Sequence, residues 1–258
     1  MIRKILLTAL IVLLSGGLLG CWFHFVGELA ARGREEARCS QVDVILLDSL
    51  ESAIVDKALL SESLRKAAVG KQTVAIDLDS IERALKAQGE VMTAQVYRAD
   101  EQTLSVRLTQ RKPVIRFDNG QEKWYADPSG YLFPVTHSVD VPVVTGKIPL
   151  ALTARFKGET PRESQAWMAG MIELARYIDS KPYLQREIAQ IDIAPGGDIV
   201  LYTRTAGPSI IFGDSGDYEA KFQKLDAWWR NIVPQIEPGK TYKTINLKYN
   251  QQIICKQL

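Results

Sequence analysis

The sequence contains few of the residues that enzymes and metal sites require. Only two histidines, His24 and His137, occur in the 258 residues, and His24 lies in a long apolar run near the N-terminus. A histidine-paired nucleophile or a multi-histidine metal site therefore cannot be built in the rest of the chain. Phosphate-binding glycine loops are also missing, since Gly196-Gly197 is typical of a turn. We expect no enzymatic activity, no cofactor and no metal.

Neither the charge balance nor the acidic residues favour another chemistry. The chain has 32 basic and 30 acidic residues, a net charge of +2, which gives no support to a nucleic acid or an acidic substrate as ligand. Asp192 and Asp198 together offer a carboxylate pair for acid–base work on a glycan. Acidic residues that flank a turn are usually solvated, so we expect both side chains to be solvated and not catalytic.

Cysteine is scarce, with three residues in the chain. Cys39 and Cys255 lie near the two ends of the part that follows the apolar run. A disulfide between them requires their Cα atoms to be within about 7 Å. The alternative, which we prefer, is that both are buried as small apolar side chains.

One long hydrophobic run, Ile5 to Val26, dominates the N-terminus. As a helix these residues would extend about 33 Å, enough to cross a hydrocarbon core of about 30 Å. Arg3 and Lys4 precede the run, and by the positive-inside rule they keep residues 1–4 in the cytoplasm. We expect a transmembrane helix at 5–26, a solvated helical stalk at 27–38 and all later residues outside the cytoplasm.

Two alternatives to a membrane helix remain open. A cleaved signal peptide would have a shorter apolar core and a small-residue exit site. The stretch Leu18-Leu19-Gly20-Cys21 is similar to a bacterial lipoprotein signal, in which Cys21 would be acylated. Polar residues usually follow a lipidated cysteine, whereas here the aromatic residues Trp22 to Phe25 suit the outer membrane interface.

The next part of the chain, 39–117, reads as one small domain. Alternating Val42, Val44 and Leu46 indicate a strand, and two helix patterns follow at Val55 to Ala68 and after the N-cap Asp77. Val91 to Arg98 and Thr103 to Leu108 then form two strands around a polar turn. The predicted order is β-α-α-β-β.

Residues 118–258 form a second, strand-rich domain in this interpretation. Turn sequences at 127–130 and 195–198 predict two hairpins, and Pro142 favours a sheet edge. Two amphipathic helices carry apolar stripes, one through Trp167 and Ile178 after the N-cap Thr160, the other through Tyr218 and Ile232. The last two strands, Thr241 to Tyr249 and Gln252 to Lys256, are joined by a predicted two-residue turn, Asn250-Gln251. The fold class is α+β, with both helices packed on a largely antiparallel sheet.

Several of these segments resemble known domains. The motifs at Thr73–Leu78, Ala94–Val96, Thr103–Val106 and Gln110–Val114 resemble a POTRA domain, a small periplasmic module that binds polypeptides. Later motifs resemble the second domain of the bacterial cell-division family FtsQ/DivIB: Asp127–Phe133, Val141–Gly146, Ile210–Gly213, Lys221–Leu225 and Ile245–Tyr249.

The resemblance implies a scaffold rather than a catalyst. FtsQ/DivIB members cross the inner membrane once and gather the proteins FtsB and FtsL at the division septum, and the POTRA-like domain would contact FtsK. The resemblance also implies that a partner adds a strand beside the last strand of the sheet. The expected partner-binding residues are Tyr249, Gln252, Ile253, Ile254, Cys255 and Lys256.

The residues alone leave two questions open. One alternating set of the last strand, Ile253 and Cys255 or else Ile254, must face the core. A different function also fits the same domains, namely that of a membrane-anchored POTRA adaptor in protein export or envelope assembly.

Overall fold

The structure, a computed structural model, describes residues 16–28, 36–48, 54–153, 155–205, 207–237, 241–250 and 252–257. Residues 16–28 are helical. Among the described residues, no helix combines the length and the apolar character that crossing a membrane requires. The predicted tail 1–4, the first half of the predicted span 5–26 and much of the stalk lie outside the described residues.

The chain divides into two compact units, with the described residues of 36–48 and 55–109 in the first and those of 110–258 in the second. Ile54 also belongs to the second unit. The boundary that we predicted after Phe117 falls inside strand β4, Ile115–Asp118. Because β4 pairs with two strands of the second unit, it cannot belong to the first.

The first unit has the predicted β-α-α-β-β order. Strand β1 (Gln41–Leu46) is followed by helices α1 (Lys57–Ala68) and α2 (Leu78–Lys86), then β2 (Val91–Arg98) and β3 (Thr103–Gln110). The described sheet has the order β1-β3-β2, with β1 parallel to β3. Asp56 and Asp77 cap the two helices by accepting backbone N–H groups, which satisfies donors at the helix ends.

The core of the first unit comes from the faces that the sequence periodicity indicates. Val42 and Val44 of β1 are buried together with Leu64 of α1 and Leu85 of α2. Cys39 is also buried in this core as a free thiol. Arg98 of β2 ties the turn between the helices to the sheet, because its guanidinium donates to the carbonyls of Thr73, Val74 and Ile76.

The second unit is built on one extended sheet. Its strands are β4, β5 (Lys123–Ala126), β6 (Tyr131–Pro134), β7 (Val143–Gly146), β8 (Gly158–Glu159), β9 (Ile188–Ile193), β10 (Ile199–Thr203), β11 (Ser209–Gly213), β12 (Tyr242–Asn246) and β13 (Ile254–Gln257). Over the described residues their order is β13-β12-β11-β10-β9-β7-β4-β5-β6-β8. The pairs β4–β7, β7–β9 and β11–β12 are parallel, and the other pairs are antiparallel.

Over the described residues, three α-helices accompany this sheet: α3 (Gln165–Asp179), α4 (Pro182–Glu187) and α5 (Tyr218–Asn231). Met171 and Leu174 of α3 and Phe222 of α5 are fully buried against strand residues such as Phe117 and Phe212. The predicted stripes of α3 and α5 are therefore core faces, except that Ile232 at the end of the α5 stripe is exposed. Helix α4 is too short to show a clear period in the sequence.

Two local predictions for the second unit were wrong. Pro142 lies just before β7, which is an interior strand between β4 and β9, and not at a sheet edge. The strand begins one residue later because proline has no N–H to donate, while the Pro142 carbonyl still accepts from Arg116. Thr160 does not cap α3, because its hydroxyl donates to the Gly130 carbonyl and the helix starts at Gln165.

Two glycines test how tightly β7 and β9 pack. Gly146 and Gly197 both have a positive φ, of 85° and 87°. A Cβ on Gly146 would collide with the Ile193 backbone, including its amide nitrogen at 2.9 Å, whereas one on Gly197 would meet nothing within 4 Å. We expect Gly197→Ala to cost about 1 kcal/mol, from φ strain alone. Gly146→Ala should cost roughly 3 kcal/mol or more.

Thermal unfolding followed by tryptophan fluorescence measures this difference, since four of the five tryptophans lie in residues 110–258. Gly197→Ala should lower the melting temperature by about 2–4 °C, and Gly146→Ala by at least twice as much. Equal shifts for the two variants would show that β7 does not approach β9 as closely as described.

Candidate partner-binding edge

Strand β13 forms one end of the extended sheet. It pairs antiparallel with β12, with Asn246 opposite Ile254 and Ile245 opposite Cys255. In the part of the chain that the structure describes, β12 is its one neighbouring strand. The backbone N–H and C=O groups on its other side are therefore not used by the sheet, which is the arrangement at which a further strand can add.

From Ile253 to Lys256, the side chains alternate between the core and the solvent. Ile253, just before the strand, and Cys255 pack against the core of the second unit. Ile254 is 45 % exposed, and Lys256 is exposed as well. The structure therefore assigns Ile253 and Cys255 to the core-facing set that the sequence left open, and Ile254 with Lys256 to the outer set.

Cys255 is a free thiol in a partly apolar environment. Burial raises the pKa of the Cys255 thiol, while the nearby Trp228 side chain acts in the opposite direction. A thiol with a raised pKa is mostly protonated at neutral pH and reacts slowly. Cys255 thus contributes to the edge as a small packing residue.

The connection between β12 and β13 is longer than predicted. The ladder ends at the pair Asn246 and Ile254, so residues 247–253 connect the strands, not a two-residue turn. Leu247 is fully buried, and its N–H donates to the Ile211 carbonyl. Core contact at Leu247 thus draws the chain away from β13 before the turn residues that we identified.

Helix α5 holds this connection in place. The Lys224 ammonium donates to the carbonyls of Leu247 and Tyr249, at 2.8 and 2.7 Å. Burial, followed by the nearby charge of Lys221, lowers the pKa of Lys224. The Lys248 ammonium is held by both carboxylate oxygens of Asp198, at 2.9 and 2.8 Å, and this hydrogen bonding raises the pKa of Lys248.

Lys221, a second lysine of α5, fixes the start of this helix. Lys221 is buried, and its ammonium donates to the backbone carbonyl and the carboxylate of Asp214, at 2.9 and 2.6 Å. The same hydrogen bond lowers the pKa of Asp214. Because Asp214 directly follows β11, this pair ties the helix to the strand beside β12.

Three of the six predicted partner-binding residues, Tyr249, Gln252 and Ile253, lie outside β13. Tyr249, in the connection, is 48 % exposed and is positioned through its carbonyl by Lys224. Gln252 is exposed and precedes the strand by two residues. Five large apolar side chains are exposed among the described residues of 110–258, and Tyr249 and Ile254 are two of them; the others are Tyr202, Ile232 and Val233.

The carboxylates of the Asp192 and Asp198 pair both make contacts within the fold. Asp192 accepts a hydrogen bond of 2.7 Å from the Thr145 hydroxyl. Asp198 pairs with Lys248 as described above. Over the described ranges, no cluster of three or more histidine, cysteine, aspartate or glutamate residues could hold a metal ion. The arrangement at β13 offers backbone pairing and apolar contact.

Comparison with known families agrees with this division of the chain. A family model described as FtsQ/DivIB, C-terminal related, matches residues 112–256, more than half of the chain. A model described as a POTRA-like domain matches residues 37–109. No curated protein matches the chain.

Sequence reasoning identified the edge strand but missed the lysine that supports it. The spacing of Lys224 on α5 looks like that of any solvated helix residue, and only the fold brings it to the carbonyls of residues 247 and 249.

Lys224→Met removes these donors and keeps the side-chain length. We expect amide hydrogen exchange in residues 247–250 and β13 to accelerate about tenfold, since hydrogen bonds to a charged group contribute about 1.5–3 kcal/mol.

The matched control for this measurement is Gln223→Met, at the neighbouring, exposed position of α5. It should leave the exchange of the same amides unchanged. Unchanged exchange in Lys224→Met as well would mean that the connection is held by the Leu247 side chain without help from the helix.

Proposed function

Because the chain belongs to the FtsQ/DivIB family, we propose that it is a non-catalytic scaffold. Domains of this family have a role in the division machinery through protein–protein interactions. In this proposal the chain binds the extracytoplasmic parts of FtsB and FtsL by strand addition at β13. The proposal includes an anchor at residues 5–26 in the inner membrane, an N-terminus in the cytoplasm and periplasmic domains at the division septum. FtsK is proposed as a contact of the POTRA-like domain.

The observation that carries the proposal is the position of β13 at the end of the sheet. A partner segment in an extended conformation would continue the ladder and pair with the free side of β13 through its main chain. The ladder of β12 and β13 spans residues 242–246 and 254–257, so an added strand of similar length would be about 4–6 residues long.

The side chains of β13 supply selectivity in this proposal. Ile254 and Lys256 lie on the outer face of the strand, so neighbours on an added strand would lie beside one apolar and one cationic group. Cross-strand pairs of matching character contribute about 0.2–1 kcal/mol each, and like charges oppose pairing. A partner strand with an apolar and an acidic residue on alternate positions of one face fits this edge best.

Ile254→Glu tests the edge directly. The substitution places a carboxylate on the outer face of β13 and leaves the core-facing residues unchanged. We expect the affinity of the full-length chain for the periplasmic part of FtsB to fall at least about tenfold, equivalent to about 1.4 kcal/mol. A titration of the FtsB part against the immobilised chain measures this affinity. Tyr249→Ala should also weaken binding.

The control is Ile232→Glu, at a residue that is 42 % exposed but lies at the end of α5 and outside the edge. It should bind FtsB as the unmodified chain does. If the folded Ile254→Glu chain captured FtsB with full affinity, β13 would not be the binding edge.

The POTRA-like match keeps one other function open, that of an adaptor in protein export or envelope assembly. Depletion of the protein followed by microscopy separates the two. Loss of a division scaffold should give filamentous or chained cells with normal surface proteins. Loss of an export adaptor should give cells of normal length that lack proteins at the surface, and this result would contradict the division role.

A further inference from the structure

A groove of about 640 Å³ opens beside the β12–β13 ladder, in the second unit. Its lining comes from α4, the end of β10, β11, the end of α5 with the turn that follows it, and β12. A volume of about 300–1,000 Å³ is typical of clefts that enclose a small ligand.

The groove is mainly apolar and aromatic. Trp228 and Tyr242 line it and contact each other edge to face, with ring centroids 6.1 Å apart. Trp229 and Val233 also line it, and Val233 is 40 % exposed. Large aromatic side chains in a concave surface are typical of the pockets that bind anchoring residues of a protein partner.

The groove is continuous with the β13 edge through β12. Tyr242 lines the groove and pairs with Gln257, at the end of β13 farthest from Tyr249. Ile245 also lines the groove and pairs with Cys255. A partner strand that runs along β13 from the Tyr249 side therefore leads towards the groove.

The charge of the groove indicates which partner side chains it can bind. Glu187 is the one charged residue among the described residues that line it. A carboxylate beside aromatic rings favours a lysine or arginine, which can form an ion pair and stack on the rings at the same time. An apolar segment without a cation would leave this carboxylate unmatched.

We infer that the groove binds the stretch of the same partner that continues beyond the strand at β13, and that this stretch carries a large apolar or aromatic side chain next to a lysine or arginine. The apolar side chain packs on Trp228, Trp229 and Val233, and the cation reaches Glu187. The inference rests on the proposed function, because it takes the strand addition as its starting point.

Neighbouring residues provide a matched test. Val233 and Ile232 are 40 % and 42 % exposed, but only Val233 lines the groove. With the full-length chain and the periplasmic part of FtsB as the probe, Val233→Glu should raise the dissociation constant about tenfold or more. Ile232→Glu should change it less than twofold. Circular dichroism and thermal unfolding of both variants verify that they fold.

Glu187→Gln tests the charge without adding bulk. It should weaken binding about threefold at low ionic strength, and the difference from the unmodified chain should shrink in about 0.5 M salt, because salt screens the ion pair. An effect that is absent at both salt concentrations would overturn the assignment of a basic side chain.

Three results separate this inference from the proposed function. If Ile254→Glu weakens FtsB binding and Val233→Glu behaves as Ile232→Glu, the groove inference is wrong and the edge remains. If Val233→Glu weakens binding and Ile254→Glu does not, the continuity with β13 is wrong. If the molar mass from light scattering falls in Val233→Glu, a second copy of the chain occupies the groove, which also overturns the inference.

Discussion

The half-paired backbone of β13 is the feature on which the functional account depends. One side of this strand is satisfied by β12, and the other side has no strand neighbour among the described residues. Buried backbone groups must be hydrogen-bonded, so an edge of this kind stays in water or pairs with another chain. Cys255 faces the core and anchors the strand, whereas Ile254 and Lys256 are exposed. The strand can therefore stay in place in water and also pair with another chain.

The rest of the second unit holds this edge in position. Lys221 ties α5 to the loop after β11, and Lys224 ties the same helix to the carbonyls of Leu247 and Tyr249. Phe222 and Leu225, between and beside these lysines, are fully buried in the core. One helix thus fixes the strand that precedes β12 and the connection that follows it, so that β13 is presented by a rigid support.

Much of this architecture was predictable because it follows from local patterns. The periods of two and of about 3.6 residues indicated the strands and the long helices, and Asp77 marked a helix start correctly. Prediction failed where distant contacts decide: Leu247 enters the core and lengthens the connection before β13, and Thr160 bonds Gly130 instead of capping α3. Neither Lys224 nor Val233 has a local signal that distinguishes it from a solvated residue, so the support of the edge and the groove emerged only from the fold.

The most direct test of the central claim is amide hydrogen exchange of the full-length chain with and without the periplasmic part of FtsB. Strand addition uses the backbone groups of β13 that point away from β12, and hydrogen-bonded amides exchange slowly. The account predicts that FtsB slows the exchange of alternate amides in residues 254–257 and leaves the interior strands β9 and β10 unchanged. Tight binding of FtsB with no change in the exchange of β13 would contradict it.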